Sequence, residues 1–389
     1  MNSQLTATDR SHLGHALELA EGGRGGVSPN PLVGAVIVRG DEVIGEGFHA
    51  ELGGLHAERA ALEDCRRRGE DPAGATMYVT LEPCAHRGRQ PPCVEAILEA
   101  GIARVVVASD DPTEKAAGRG PGILRDGGVE VAFAAGAEAT AARRLNQPFR
   151  KHARTGLPLV VLKMAMSLDG QTSTPPGDSP WISGGQSRDL VHKWRSESDA
   201  IGVGIGTVLA DDPLLTARIN GARQPLRIVF DRQARLPLDS QLLQTLDQSP
   251  VLVVVAPDAP TDRFGHLQDA GVQILVATDI EGALAELGRR EITSLFLEGG
   301  KTLASAFMAA EQLDESRTFI APMLLGPSTS ASRAGGVVVG APHSGGRREA
   351  ASEHMGVTTT TGPARLAALS STSERVGEDT LIRARFKEW

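Results

Sequence analysis

A histidine followed two positions later by a glutamate, His56-Ala57-Glu58, precedes the run Glu82-Pro83-Cys84, which closes at Cys93. Together they supply one imidazole, two thiols and a spare carboxylate. Imidazole nitrogen and thiolate sulfur are donors that tetrahedral Zn2+ favours, and three protein ligands leave its fourth position open to water. Zinc lowers the pKa of such a water toward neutrality. A nearby carboxylate that is not a ligand can then carry protons to a departing amine. His56, Cys84 and Cys93 are therefore the expected zinc ligands and Glu58 the expected proton carrier, the parts that a hydrolytic deamination needs. A closed structural zinc site would want a fourth protein ligand. Cys65 is the remaining cysteine, nine positions beyond His56. That separation is roughly two and a half helical turns, so its thiol points away from the other three. Nothing in the chain suggests an oxidising compartment, so no disulfide is expected.

The elements around these residues read as alternating helices and strands. Leu13, Ala16, Leu17 and Ala20 recur at helical spacing, so an amphipathic helix follows Asp9. Residues 33–38 and 42–48 are β-branched runs flanking Gly40-Asp41, a hairpin signal. Helices are expected over 56–68, 94–100, 122–126 and 137–145, and strands over 76–81, 104–108 and 129–132. The order αββαβαβαβα predicts a largely parallel sheet covered on both faces. His56 and Cys84 then fall at strand-to-helix joins, where α/β sheets place their ligands. Residues 146–157 change character, with Asn-Gln-Pro, then basic residues, then Gly-Leu-Pro. The domain boundary is placed there, giving units 1–147 and 148–389. The second unit reads as strands at 159–164, 200–204, 226–230, 250–255, 272–276, 294–297, 316–320 and 380–386. Helices are expected at 186–197, 262–270, 280–287 and 303–310. Residues 327–376, rich in Gly, Ser, Thr, Ala and Arg, read as a long loop.

Bulk properties agree with two soluble domains. A chain of 389 residues exceeds one typical core. Its net charge of −8 argues against a polynucleotide partner, which needs clustered positive charge. The polar N-terminus has no apolar signal region, and the apolar runs are of strand length, far below a membrane span. A cytoplasmic enzyme without membrane association is expected.

The pair His-x-Glu and Pro-Cys resembles the cytidine-deaminase-like superfamily, but eight residues separate Cys84 from Cys93 where that superfamily commonly has two. The insert AHRGRQPP, with PNPLVGAVIV at 29–38 and HAERAAL at 56–62, resembles the deaminase half of the bifunctional deaminase/reductase family of riboflavin biosynthesis. The resemblance spans the whole chain. It implies an N-terminal cytidine-deaminase-like three-layer α/β/α domain that deaminates a pyrimidinone bearing a phosphoribosylamino arm. It also implies that Asn30 and His49 meet the pyrimidine, and that His86 and Arg89 face the substrate. A guanidinium at Arg89 would suit the phosphate. Asn30 also reads as a turn residue between prolines, and His86 and Arg89 as a solvated loop. Ala85 and Gln90 stand where the family usually carries serine and threonine.

Three segments of the second half join a strand to a turn: KMAMSLDGQT (163–172), SDAIGVGIGTVLADDPLLTAR (198–218) and LEGGKTLASAF (297–307). By themselves the two glycine-rich turns suit a phosphate-bearing ligand at helix N-termini, or a purely structural tight turn. All three resemble the reductase half of the same family, similar in fold to dihydrofolate reductase and using NADPH. The resemblance implies NADP contacts at Ala165, Trp181, Ser183, Thr207, Asp211, Gly299, Gly300 and Lys301. It implies substrate contacts at Ser179, Arg195, Leu215, Arg218 and Glu298. Arg195 and Arg218 suit a substrate phosphate, although either could be a surface ion pair. Arg232 is a candidate for the 2′-phosphate of NADP, and Arg232, Lys301 and Met323 depart from the family's usual residues. Family members form oligomers, so a homodimer or tetramer is expected. Two rival readings are a nucleic-acid-editing deaminase, which needs a basic, aromatic-bearing groove, and a zinc-stabilised nucleotide sensor, which needs a fourth ligand and no turnover.

Overall fold

The computed structural model describes residues 5–87, 90–114, 116–175, 178–179, 181–326 and 365–389. In the N-terminal unit, α1 (Ala7–Ala20) leads through a 3-10 turn to the hairpin β1 (Gly34–Arg39) and β2 (Glu42–Phe48). There follow α2 (Ala57–Arg68), β3 (Thr76–Val79), α3 (Cys93–Glu99), β4 (Arg104–Val107), α4 (Arg119–Asp126), β5 (Glu130–Phe133) and α5 (Ala137–Leu145). The sheet order is β2-β1-β3-β4-β5. The sheet is mixed: β3, β4 and β5 run parallel, whereas β1 is antiparallel to both β2 and β3. The hairpin alone reverses the strand direction that helix–strand alternation predicts.

Period-two alternation splits the core into two layers. Ala35 and Ile37 pack with Met77, Val79, Val105 and Val107 against α2, α3 and α4. Val36 and Val38 point the other way, with Tyr78 and Val106, against α1 and α5. Thr6 opens α1 through a capping box with Asp9: its hydroxyl accepts from the Asp9 N–H at 3.0 Å, and Asp9 accepts from the Thr6 N–H at 2.9 Å. Two glycines of β2 set how close α2 can come. A Cβ at Gly47 would lie 2.5 Å from the Ala61 nitrogen, and one at Gly45 would lie 2.6 Å from the Ala61 oxygen. Helix and strand backbones therefore touch, which holds the first turn of α2, with His56 and Glu58, hard against the sheet.

Residues 147–155, expected as linker, form a helix, α6 (Gln147–Thr155). Its cations are buried by pairing across the seam between the units. Lys151 Nζ lies 2.6 Å from Asp314, with both side chains almost fully buried. Arg150 donates to the carbonyls of Trp389 and Asp110 and to the Asp110 carboxylate. Basic residues at the expected domain boundary are thus part of the core between the units.

The second unit continues with β6 (Leu159–Ser167), α7 (Gly185–Glu197), β7 (Ala200–Gly204), α8 (Ile205–Asp211), β8 (Leu226–Phe230), α9 (Gln241–Gln244) and β9 (Val251–Val255). Then come α10 (Thr261–Asp269), β10 (Gln273–Val276), α11 (Ile280–Arg289), β11 (Ser294–Leu297), α12 (Lys301–Ala309), β12 (Glu315–Ala321), β13 (Ser370–Val376) and β14 (Asp379–Arg385). Among the described residues nine strands pair in the order β10-β9-β8-β7-β11-β6-β12-β14-β13, parallel up to β12 and antiparallel beyond. Helices cover both faces, α11 and α12 on one and α8, α9 and α10 on the other. The stretch 327–376, expected as loop, ends in strand β13; residues 327–364 lie outside the described residues.

Candidate active site

The three proposed zinc ligands meet. His56 is the N-cap of α2, Cys93 opens α3, and Cys84 sits in the turn after β3. The His56 Nδ1 lies 3.6 Å from Cys84 Sγ and 3.4 Å from Cys93 Sγ, and the three donor atoms lie within 4.8 Å of one another. The Cys93 N–H donates to Cys84 Sγ at 3.3 Å. A hydrogen bond from Cys93, assisted by His56, draws the Cys84 thiol well below its ordinary value, and Cys93 is pushed up in turn. One thiolate sharing protons with a thiol and an imidazole is the arrangement that a divalent cation would replace. Cys65 does not join the cluster: it is buried, and its thiol donates to the Glu70 carbonyl. The donor set thus fits zinc with one position left open.

Glu58, one residue beyond the first of the same helix, is 4 % exposed. Burial, followed by the charge of Cys84, pushes its carboxyl from 4.5 up to about 7. His56, Cys84 and Glu58 line a cavity of about 330 Å³, within the range of small-molecule pockets, with Cys93 fully buried beside the other two donors. Asn30 and His49 line it too. Nδ1 of His49 donates to the Leu55 carbonyl at 2.9 Å, so Nε2 is its acceptor, taken at 3.1 Å by the Asn30 amide nitrogen. Asn30 then keeps its amide oxygen for a ligand. Burial lowers the His49 pKa, which favours this neutral tautomer. His86 also lines the cavity, at the exposed insert. Arg89 lies outside the described residues.

Sequence reasoning missed other lining residues. Glu82 is 5 % exposed, and its Oε1 has no hydrogen-bond partner among the described residues. Its place beside Pro83-Cys84 was the available signal. Asp111 and Thr113 arrive from the loop after β4, with Asp111 accepting from the Thr113 N–H and hydroxyl at 2.8 and 2.7 Å. Phe149 of α6 and Glu291, from the turn before β11, complete the wall. Only tertiary structure brings those two here.

Several of the reductase-type residues follow the C-terminal ends of three adjacent strands, β7, β11 and β6. Glu298 follows β11 and pairs bidentately with Arg195 of α7, at 2.6 and 3.0 Å. Arg195 also donates to the Thr216 carbonyl at 3.0 Å. Burial works against the Glu298 carboxylate, but Arg195 and Lys163 outweigh it and hold its pKa below the ordinary value. Leu215 and Arg218 both adopt left-handed backbone, at φ 56° and 50°. Such strain in non-glycine residues is uncommon and concentrates at ligand sites. Gly300 caps α12, which places Gly299, Gly300 and Lys301 at a helix N-terminus. Thr207 and Asp211 lie on α8, which follows β7, and Ala165 lies on β6. Ser183 is buried just before α7. Trp181 is exposed, with the Arg188 guanidinium 5.1 Å over its ring, and its N–H donates to the Ser179 hydroxyl at 3.3 Å. Arg232 is exposed after β8, donating to the Thr278 carbonyl at 3.5 Å.

Residues 6–109 match the family described as the cytidine and deoxycytidylate deaminase zinc-binding region, and residues 158–341 match the RibD C-terminal domain. The chain is 41 % identical over 341 residues to the riboflavin biosynthesis protein RibD of Actinobacillus pleuropneumoniae, covering 86 % of this chain and 89 % of that protein. Acinetobacter baumannii RibD superposes with a TM-score of 0.78 at 35 % identity, over 98 % of this chain and 99 % of that one. A Thermotoga maritima diaminohydroxyphosphoribosylaminopyrimidine deaminase/5-amino-6-(5-phosphoribosylamino)uracil reductase superposes with a TM-score of 0.79 at 31 % identity, over 98 % and 99 %.

Proposed function

The chain belongs to the RibD family of riboflavin biosynthesis, with a zinc deaminase unit and a reductase unit, and from that premise we propose which reactions its residues carry out. The first is hydrolytic removal of the 2-amino group from 2,5-diamino-6-(5-phosphoribosylamino)pyrimidin-4(3H)-one. The second is NADPH-dependent reduction of the ribosyl arm, giving 5-amino-6-(5-phosphoribitylamino)uracil. The observation that carries the reading is a cavity lined by two members of a three-donor cluster, His56 and Cys84, by the buried Glu58 carboxylate and by the hydrogen-bonded Asn30–His49 pair. The domains are assigned as 1–147 and 148–389.

His56, Cys84 and Cys93 would hold zinc, which would supply the Lewis acidity that makes the attacking water more acidic. Glu58 accepts a proton from the attacking water, passes it to the ring nitrogen and delivers a proton to the departing ammonia. Its burial favours this role, because desolvation raises the carboxyl pKa and so makes it a better proton acceptor than an exposed carboxylate. Asn30 presents its amide oxygen to the pyrimidinone, held in that orientation by His49. His86, which lines the cavity, is assigned to the phosphoribosyl arm, and Arg89 is assigned to its phosphate by the family resemblance. In the reductase unit NADPH supplies the hydride. Gly299, Gly300, Lys301, Thr207 and Asp211 bind it beside Ala165, Trp181 and Ser183. Arg218, Leu215 and Ser179 hold the substrate, and the Arg195–Glu298 pair sets its polar wall.

The substrate is a small phosphorylated pyrimidine, not a polynucleotide, in line with the net charge of −8. No helix among the described residues is long and apolar enough to cross a membrane, and the protein is assigned to the cytoplasm as a homodimer or tetramer. Mass analysis of the products tests the reading. Without NADPH the diaminopyrimidine phosphate stops at the deaminated uracil, and with NADPH it gains two hydrogens. Deamination of single-stranded DNA or tRNA in place of that substrate would overturn the reading.

A further inference from the structure

The N-terminal cavity is not built by the N-terminal unit alone. Asp199, the residue before β7, is 2 % exposed and lies in the seam between the units. Its Oδ2 accepts from the Ser28 hydroxyl at 2.8 Å, the Thr293 N–H at 2.8 Å, the Thr293 hydroxyl at 2.8 Å and the Ser294 N–H at 3.1 Å. Its Oδ1 takes the Arg223 guanidinium at 2.9 Å. Ser28 belongs to the other unit, two residues before Asn30, and begins the Pro29–Asn30–Pro31 segment that lines the cavity. The turn that carries Thr293 and Ser294 also carries Glu291, which lines the same cavity from an exposed position. Nearby, Gly25 at φ 82° brings the same N-terminal loop against the end of α7; a Cβ there would lie 2.9 Å from the Ser196 carbonyl oxygen.

We propose that the turn 291–294 of the reductase unit, with Asp199, is a working part of the deaminase site. Ser28 is a positioning residue: the buried Asp199 carboxylate fixes it, and through two intervening backbone units it fixes the Asn30 amide. A charge-assisted hydrogen bond to a buried carboxylate is strong and directional. It holds a proline-flanked loop that has no helix or strand of its own to hold it. Glu291 acts at the rim. Its carboxylate accepts hydrogen bonds from ribosyl hydroxyls and repels a phosphate, so the arm lies with its phosphate turned toward the insert that carries His86. This assignment rests on the deaminase reading above.

The test uses the full-length zinc protein and two variants, Ser28→Ala and Glu291→Gln, with Ser28→Thr as the conservative rescue. Ammonia release from the diaminopyrimidine phosphate is measured for KM and kcat separately. Zinc content, thermal midpoint and NADPH-dependent reduction of the deaminated intermediate are measured on the same samples. Ser28→Ala is expected to lose roughly ten-fold in kcat/KM for ammonia release, mostly through KM, the size of one hydrogen bond to a charged group. Zinc and reduction stay at parental levels, and Ser28→Thr recovers most of the loss. Glu291→Gln raises KM for the phosphorylated substrate and leaves reduction unchanged. Ammonia release within two-fold of the parent in both variants overturns the proposal. So does a parallel loss of both activities that tracks the thermal midpoint, because that is the signature of a purely structural seam. A parent protein that releases no ammonia from this substrate instead overturns the deaminase reading, and this inference falls with it.

Discussion

Replacing Glu58 by glutamine should damage catalysis and strengthen the fold at once. The side chain is 4 % exposed at the start of α2, and burial raises its carboxyl from 4.5 to about 7. A carboxyl whose folded pKa is raised binds its proton more tightly in the native state. Stability therefore falls as pH rises from 4.5 to 7 and carries the full cost of the buried charge above 7. That rise corresponds to about 3 kcal/mol in the metal-free protein. Glutamine has the same shape and no charge, so metal-free Glu58→Gln at pH 8 should melt roughly 5–10 °C above the parent. At pH 5.5 the gap should narrow. Catalysis moves the other way. An amide cannot shuttle protons, and a positioned acid–base group contributes roughly a hundred- to ten-thousand-fold. Ammonia release should fall by that factor, while zinc content and reduction of the deaminated intermediate persist. The assays are metal analysis, calorimetry of chelator-treated protein at the two pH values, and ammonia detection. Ammonia release within ten-fold of the parent, or a lower melting point at pH 8, would refute the reasoning.

Other consequences follow from the same geometry. Cys84→Ser and Cys93→Ser should each lose bound zinc and ammonia release together, with reduction retained, as read by metal content and the two activities. Lys151→Met leaves the buried Asp314 without its cation and should cost about 3–5 kcal/mol in urea unfolding. Asp9 is buried, which favours its neutral form, yet the Arg104 guanidinium, the Thr6 N–H and the Tyr78 hydroxyl outweigh that and hold its carboxyl well below the ordinary 3.8. Its stabilisation is thus complete above about pH 4 and drains away in more acid solution, so the stability gap between the parent and Asp9→Asn should shrink between pH 6 and pH 3. Arg218→Ala should raise KM for the phosphorylated intermediate in reduction without changing ammonia release; an unchanged KM would remove it from phosphate binding.

The zinc cluster was legible because its parts lie in short local motifs, with His56 and Cys93 at helix starts and Cys84 in the turn after a strand. Most element positions were legible for the same reason: period two and period 3.6 show wherever one face is buried. The failures share a cause. Helix α6 falls where the change of composition at 146–157 marks a domain boundary, and only Asp110, Asp314 and the Trp389 carbonyl, distant in sequence, make its cations buriable. Strand β13 was read as loop because Ser-Ser-Thr-Ser-Glu-Arg-Val forms an exposed edge with no apolar period to detect. The hairpin's reversal of the sheet could not be told from element order alone. Phe149, Thr113 and Glu291 went unnoticed because no motif places them; the fold brings them to the cavity from helix α6, the loop after β4 and the turn before β11. Arg195 stood out as a candidate for phosphate, and the structure shows it already paired with Glu298, a contact across 103 positions that spacing does not reveal.

The central claim is that one chain performs two reactions in a fixed order at two separate sites. Its most direct test follows ammonia and NADPH oxidation separately in one reaction begun with the diaminopyrimidine phosphate. The account predicts one ammonia released and one NADPH oxidised per substrate, with ammonia appearing first and unaffected when NADPH is withheld. NADPH oxidation that proceeds at full rate in the Glu58→Gln protein on the undeaminated substrate, or no ammonia from the parent, would contradict it.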